Sequence, residues 1–257
     1  MLTQDQMNLL VPERLREIER AHGVKVLHAV ETGSRAWGIA SPDSDFDVRF
    51  IYVRPKEDYL RLNAPRDVIE TPIDDTWDVS GWDLQKALKL LYKSNPSLYE
   101  WMASDMTYID SDFADCLAPL LKPYFEKKAM MYHYYHMASN NVRAFLSGPS
   151  VKPKKYFYAL RPILACMWIR AHDFAPPIRY ADLVADQLPA SLRAASDHLL
   201  ELKIHAPEKA EIAPIPEVDA YIRESLDDLG AYLKTLPDYQ PADWTPLNAF
   251  FLSELQM

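Results

Sequence analysis

The sequence predicts an α+β protein, a small sheet-bearing half over residues 1–115 followed by an all-helical half over residues 116–257. Three observations predict it. Short runs with strand character, at residues 24–30, 45–53, 67–70 and 76–79, are confined to the first half. From about residue 112 the apolar positions recur at helical spacing, and Gly148-Pro149, Ala175-Pro176-Pro177 and Ala213-Pro214-Ile215-Pro216 separate the segments. No repeat period and no low-complexity segment interrupts either half, and the boundary falls near residues 110–118.

Composition narrows the class. At 257 residues, with 49% hydrophobic and 12% aromatic content, the chain buries one large core or two modest ones and is neither disordered nor collagen-like. Residues 1–20 carry several charges and no apolar signal core, and the longest strongly apolar run, 162–169, is far too short to span a bilayer. The expectation is a soluble, cytoplasmic protein without membrane contact. Cys116 and Cys166 are the two cysteines, which excludes a disulfide framework and a cysteine-based zinc site. A net charge of −9 argues against broad adhesion to nucleic acid, so any polynucleotide would meet a local basic patch. Two groups qualify: Lys122, Lys127, Lys128 and Arg143, and the denser Lys152, Lys154, Lys155 and Arg161. The alternative for the first is a set of solvated helix faces.

Taken in order, alternating charge with Leu15, Ile18 and Ala21 at helical spacing predicts a helix over 12–22, stopped by Gly23. Residues 24–30 form the first core strand, where His28 reads as a core or edge histidine. Gly33-Ser34 breaks the chain, Trp37 and Ile39 pack the following segment, and Ser41-Pro42-Asp43-Ser44 is a polar turn into a strand ending near Val53. Residues 54–66 are a polar connection with one helical turn, and 67–70 and 76–79 are short strands around an acidic bend at 72–75. Leu84, Leu88 and Leu91 keep helical spacing. Asn95 caps and Pro96 opens the next helix, over 97–103, where Glu100 reads as a surface or cap-supporting residue. Further helices are predicted over 117–128, 129–146, 154–172, 181–188, 190–203 and 218–235.

The organising motif is Gly33-Ser34-Arg35-Ala36-Trp37-Gly38 with Asp45-Phe46-Asp47-Val48-Arg49-Phe50 behind it. Strand geometry puts Asp45 and Asp47 on one side and Phe46 and Val48 on the other. Two adjacent carboxylates repel each other and stay ionised chiefly where a cation neutralises them, which makes the pair a candidate divalent-metal seat. Gly33-Ser34 offers backbone N–H groups and a hydroxyl to a phosphate. Arg35 adds a charge for the same phosphates or pairs with a nearby acid.

At these residues the chain resembles the DNA polymerase β nucleotidyltransferase superfamily, whose signature is a strand, a Gly-Ser turn and a strand reading hydrophobic-Asp-x-Asp-hydrophobic. It is most similar to the bacterial and phage nucleotidyltransferases associated with RNA repair, and Gly81-Trp82-Asp83-Leu84, Lys93-Ser94-Asn95-Pro96, Glu100-Trp101 and 154–162 extend the likeness. The resemblance implies a polymerase-β-like catalytic domain, a small mixed sheet with flanking helices, and then a helical domain that helps bind nucleotide. It implies Mg²⁺ or Mn²⁺ on Asp45 and Asp47, a nucleoside triphosphate as substrate, and a third carboxylate from the adjacent strand, which by motif position is Asp78. Asp78 would serve the acceptor side and help deprotonate the attacking hydroxyl. Asp74 and Asp75 are alternatives that suit a turn, and Asp83, three residues after Ser80, suits a helix start.

From the helical half the resemblance implies Lys154 or Lys155, Tyr156 or Tyr158, and Arg161 along the cleft. Lys154, Tyr158 and Arg161 share one helix face by spacing, and the alternative is a snorkelling basic face on an apolar helix kinked at Pro162. His133 and His136, three apart, read as packing or polar lining. The acceptor implied is an RNA or tRNA 3′ end. Transfer to a protein or small molecule, or triphosphate binding without transfer, are the alternatives.

Overall fold

A computed structural model describes residues 3–72, 77–109, 111–205, 210–240 and 242–256. The chain opens with α1 (Gln4–His22), β1 (Lys25–Glu31), the single turn α2 (Gly33–Ala36) and β2 (Phe46–Val53). It continues through α3 (Lys56–Tyr59), β3 (Val68–Glu70), β4 (Trp77–Asp83), α4 (Leu84–Tyr92), α5 (Pro96–Ala103) and β5 (Thr107–Ile109). Helices follow: α6 (Phe113–Leu121), α7 (Lys127–Phe145), α8 (Pro153–His172), α9 (Tyr180–Gln187), α10 (Ala190–His205), α11 (Pro216–Leu233) and α12 (Thr245–Glu254). The bend residues Asp74 and Asp75, with Thr76, lie outside the described residues, as do 206–209.

Local chemistry explains the ends. Where charge alternation predicts a helix start at Pro12, α1 starts at Gln4, because Thr3 and Gln6 form a reciprocal capping box and Pro12 is carried inside the helix. Gly23 closes it in the left-handed conformation at φ 62°. Asn95 caps α5 through Ser97 N–H, with Pro96 in the first turn. The short edge strand β5 and the C-terminal α12 carry too little periodicity to be read from the sequence, and both form through tertiary packing.

The five strands are ordered β3-β4-β2-β1-β5. β2 and β4 run parallel while the other described pairs are antiparallel, so the sheet is mixed. Along β2 the pleat alternates as predicted: Phe46, Val48 and Phe50 are buried on the face that α1 covers with Met7, Val11, Leu15 and Ile18. Each such side chain contributes on the order of 2 kcal/mol by its burial. Gly81 of β4 is required here, since the Phe50 ring occupies the space that a Cβ on Gly81 would fill. On the opposite face Leu27, Val30, Ile51 and Val53 merge into one apolar cluster with α4, α5, α7 and α8. Trp82 of β4 stacks on Trp101 of α5 with ring centres 4.0 Å apart, and tightens that junction. Among the described residues no helix is long and apolar enough to cross a membrane.

Candidate active site

The parallel pairing of β2 with β4 sets the site. Its register places Asp47 directly beside Asp78 and Arg49 beside Ser80, so the two carboxylates stand on neighbouring strands on the face turned from α1. Asp83 ends β4 level with Tyr52, at the far end of the strand. There it caps α4 through Gln85 N–H and accepts a 3.0 Å bond from the Tyr59 hydroxyl. Asp45 precedes β2 and is exposed at the rim, on the side of Asp47.

Asp47 is held by its backbone from the end of β1. Its N–H donates to Glu31 Oε1 at 2.8 Å, and its carbonyl accepts from both the N–H and the hydroxyl of Thr32 at 2.9 and 3.0 Å. Gly33 follows at φ 60°, and a Cβ there would overlap the Asp47 carboxylate. Glycine is thus needed twice over, for backbone conformation and for space. The Gly33-Ser34 break expected as a turn is the single helical turn α2, with Ile39 N–H closing on the Ser34 carbonyl at 3.0 Å.

Electrostatics mark the same point. Burial raises the Asp47 carboxyl to about 6; the Arg49 charge opposes this, and the charges of Asp45 and Asp78 add to the rise. Arg49 Nη2 lies 3.3 Å from Asp47 Oδ1 and 2.7 Å from Asp78 Oδ2, so one cationic nitrogen occupies the place where the two carboxylates converge. Among the described residues no group of three or more histidine, cysteine or acidic side chains is gathered closely enough to hold a metal ion. The pair Asp47 and Asp78 nonetheless suits a hard divalent cation: both are oxygen donors, they crowd each other, and a positive nitrogen already stands between them.

Arg35 is engaged by the turn before β2. Its Nε donates to the Asp45 carbonyl at 3.0 Å, Nη2 to the Ser44 carbonyl at 2.6 Å, and its guanidinium lies 3.7 Å over the Phe46 ring. It fixes the entry of the acidic strand.

The helical half meets α2 through Trp37. Tyr158 approaches Trp37, the residue that closes α2, edge-on at 6.1 Å, whereas Tyr156 is buried and donates to Asp219 of α11 at 3.0 Å. Lys155 lies 3.5 Å over the Phe145 ring and 5.2 Å over that of Tyr158; burial and the charges of Lys154 and Lys152 lower its proton affinity, as expected where three amines gather at the start of α8. In the other basic group Lys127 and Lys128 are tied to Asp173 and Asp238. Arg161 is not cleft lining: it is 1% exposed, pairs with Glu100 at 2.9 Å and lies 4.4 Å from the Trp37 ring centre. The face shared with Lys154 and Tyr158 turns inward there because α8 is surrounded by core from its second turn onward. Glu100, read from sequence as a surface or cap-supporting residue, accepts from both Arg161 and Tyr134. Burial lowers the proton affinity of His133, and His136 stacks on Tyr132.

Glu31 and Arg49 are the residues that sequence reasoning passed over. Arg49 continues the alternation of Asp45 and Asp47, and Glu31 is an acid ending an apolar strand, but their partners lie far away in the chain. Glu31 is 0% exposed, accepts from Tyr108 at 2.5 Å, and burial raises it to about 7. Its folded value exceeds its ordinary 4.5, so the metal-free protein is expected to lose about 3 kcal/mol through this group as pH rises from 4.5 to 7. Glu31→Gln, which mimics the protonated acid, should flatten that part of the curve; parallel denaturation profiles for the two proteins between those pH values would exclude it.

A mixed sheet that pairs Asp47 with Asp78 beside a Gly-Ser bend, followed by a helical region, is a polymerase-β-like arrangement. The chain belongs to the RNA repair pathway DNA polymerase beta family (RlaP), which it matches over residues 7–253. An uncharacterized protein of Bacillus subtilis (strain 168), YcgL, is 42% identical over 252 residues, 97% of either chain. Family membership points to nucleotidyl transfer as the class of activity.

Proposed function

We propose that the chain is a divalent-metal-dependent nucleotidyltransferase that moves a nucleoside monophosphate from a triphosphate to an acceptor hydroxyl and releases pyrophosphate, with an RNA or tRNA 3′ end as acceptor. The observation that carries this reading is the side-by-side placement of Asp47 and Asp78, with Gly33 packed against the Asp47 carboxylate. Residues 1–115 would supply the catalytic half and 116–257 the helical half. Asp47 and Asp78 would hold the cation, with Asp45 closing in from the rim, and magnesium or manganese, when bound, would supply neutralisation of the triphosphate charge. Gly33 and Ser34 would grip the phosphate tail, and Asp78 would take the proton of the attacking hydroxyl. Most of the rate would come from positioning and charge compensation.

Lys154, Lys155 and Tyr158 would complete the nucleotide side from α8, next to Trp37. Arg161 would act from behind them by holding Trp37, and Arg35 by fixing the turn at Ser44 and Asp45. The three clustered amines at the start of α8, with the half-exposed Phe145 beneath one of them, favour this surface for a polynucleotide. The net charge of −9 favours a second reading, transfer to a protein or small-molecule hydroxyl. The test incubates the protein with each labelled triphosphate and Mg²⁺ or Mn²⁺, offering total RNA in one reaction and total protein in another. Label in RNA supports the first reading, label in protein the second, and triphosphate binding with no labelled acceptor overturns transfer.

A further inference from the structure

We propose that Arg49 is the resident cation of the acidic seat: it holds Asp47 and Asp78 together in the metal-free protein and must be displaced when a divalent ion enters. The inference rests on the reading of these carboxylates as a metal seat.

The geometry is specific to this residue. Arg49 Nη2 is shared by Asp47 Oδ1 at 3.3 Å and Asp78 Oδ2 at 2.7 Å, while Nη1 donates to the carbonyls of Val48 at 3.0 Å and Asp78 at 2.8 Å. The guanidinium is therefore anchored to both strands through backbone oxygens, and its second nitrogen is aimed at the gap between the carboxylates. The three side chains are 21%, 21% and 28% exposed, dry enough for the charges to matter and open enough for the group to move outward. The other nearby guanidinium, that of Arg35, spends its hydrogen bonds on the Ser44 and Asp45 carbonyls. Without a cation at this point, Asp45, Asp47 and Asp78 would repel one another across the β2–β4 pairing.

A divalent ion bridging Asp47 Oδ1 and Asp78 Oδ2 would meet the guanidinium charge in the gap that Nη2 already occupies, and two cations do not share that gap. The bond to Asp47 is the longer of the two, so Asp47 is the side released first. Arg49 thus trades metal affinity for order: the seat is kept assembled before the cation and nucleotide arrive, and cation binding is weaker than the carboxylates alone would give.

The test compares wild type with Arg49→Gln, whose amide is neutral yet still donates to carbonyls. Free Mn²⁺ is counted by electron paramagnetic resonance during titration, without nucleotide or acceptor. Removing a unit charge this close should tighten Mn²⁺ binding about tenfold or more. The metal-free variant should also melt at lower temperature than wild type and gain more from added Mn²⁺. Displacement is read on wild type alone: phenylglyoxal should modify Arg49 faster with saturating Mn²⁺ than without, as mapped by mass spectrometry, and this measurement decides the matter if the variant does not fold. Equal or weaker Mn²⁺ binding by a folded Arg49→Gln, or unchanged labelling, overturns the competition while leaving the metal seat standing. Failure of both proteins to bind Mn²⁺ overturns the seat and the competition together.

Discussion

Asp47→Asn is expected to lower nucleotidyl transfer by on the order of 10³-fold while leaving the fold intact. The substitution keeps the volume that Gly33 accommodates and the backbone bonds to Glu31 and Thr32, and it removes one formal charge. Since burial and the neighbouring acids already raise this carboxyl to about 6, the neutral amide costs the metal-free protein little. Loss of activity with an unchanged melting temperature would therefore separate chemistry from folding. The carboxylate must also be ionised to bind a cation, so metal affinity in wild type should fall roughly tenfold for each pH unit below 6. Asp45→Ala is expected to be similarly inactive, and because Asp45 is exposed its fold should be untouched. Near-normal turnover in either variant would remove the proposed site.

Arg161→Met should have the largest effect on stability. Arg161 is enclosed by core, and its loss leaves Glu100, 16% exposed, with the Tyr134 hydroxyl as its remaining hydrogen-bond partner among the described residues, besides removing the donors to the Ile178 carbonyl. Breaking a buried pair on one side costs about 3–5 kcal/mol, which lowers the melting temperature of a chain this size by roughly 10 °C. Adding Glu100→Gln should recover part of that loss, because the charge left behind is the expensive element. The guanidinium also lies against Trp37, so transfer should weaken with stability in the single variant. A melting temperature within about 2 °C of wild type, less than 1 kcal/mol by that scale, would show that the Glu100 pair is not buried as described.

How much of this was legible before folding depends on the distance over which each residue finds its partner. The outward side of β2 could be read from alternation alone, because the pleat is a local property and Phe46, Val48 and Phe50 announce the buried face. The placement of Asp78 beside Asp47 needs the parallel register of β2 and β4, which no local pattern contains. Glu31 was overlooked for the same reason, since Tyr108 reaches it from a three-residue edge strand that has no signature of its own. For Arg161 the difficulty is different. Counting along α8 groups it correctly with Lys154 and Tyr158, yet the helix is buried almost all round after its first turn, so position on a face does not tell whether that face meets solvent or core. Helix boundaries from α7 to α11 were close to the expected spans, whereas the helix expected over 117–128 is α6 at Phe113–Leu121, and α12 lacked the apolar stripe that would have marked it.

The parallel strand pair has one more consequence, for the order of events on the ribosome. Its two acidic partners come from strands with a full edge strand threaded between them, and β3 pairs with β4 rather than with β2. An emerging chain that has released β2 alone carries Asp45, Asp47 and Arg49 without the carboxylate that stands opposite them in the fold. Asp78 reaches its place beside Asp47 only after β4, which ends at Asp83, has cleared the exit tunnel and the later strand zips onto β2.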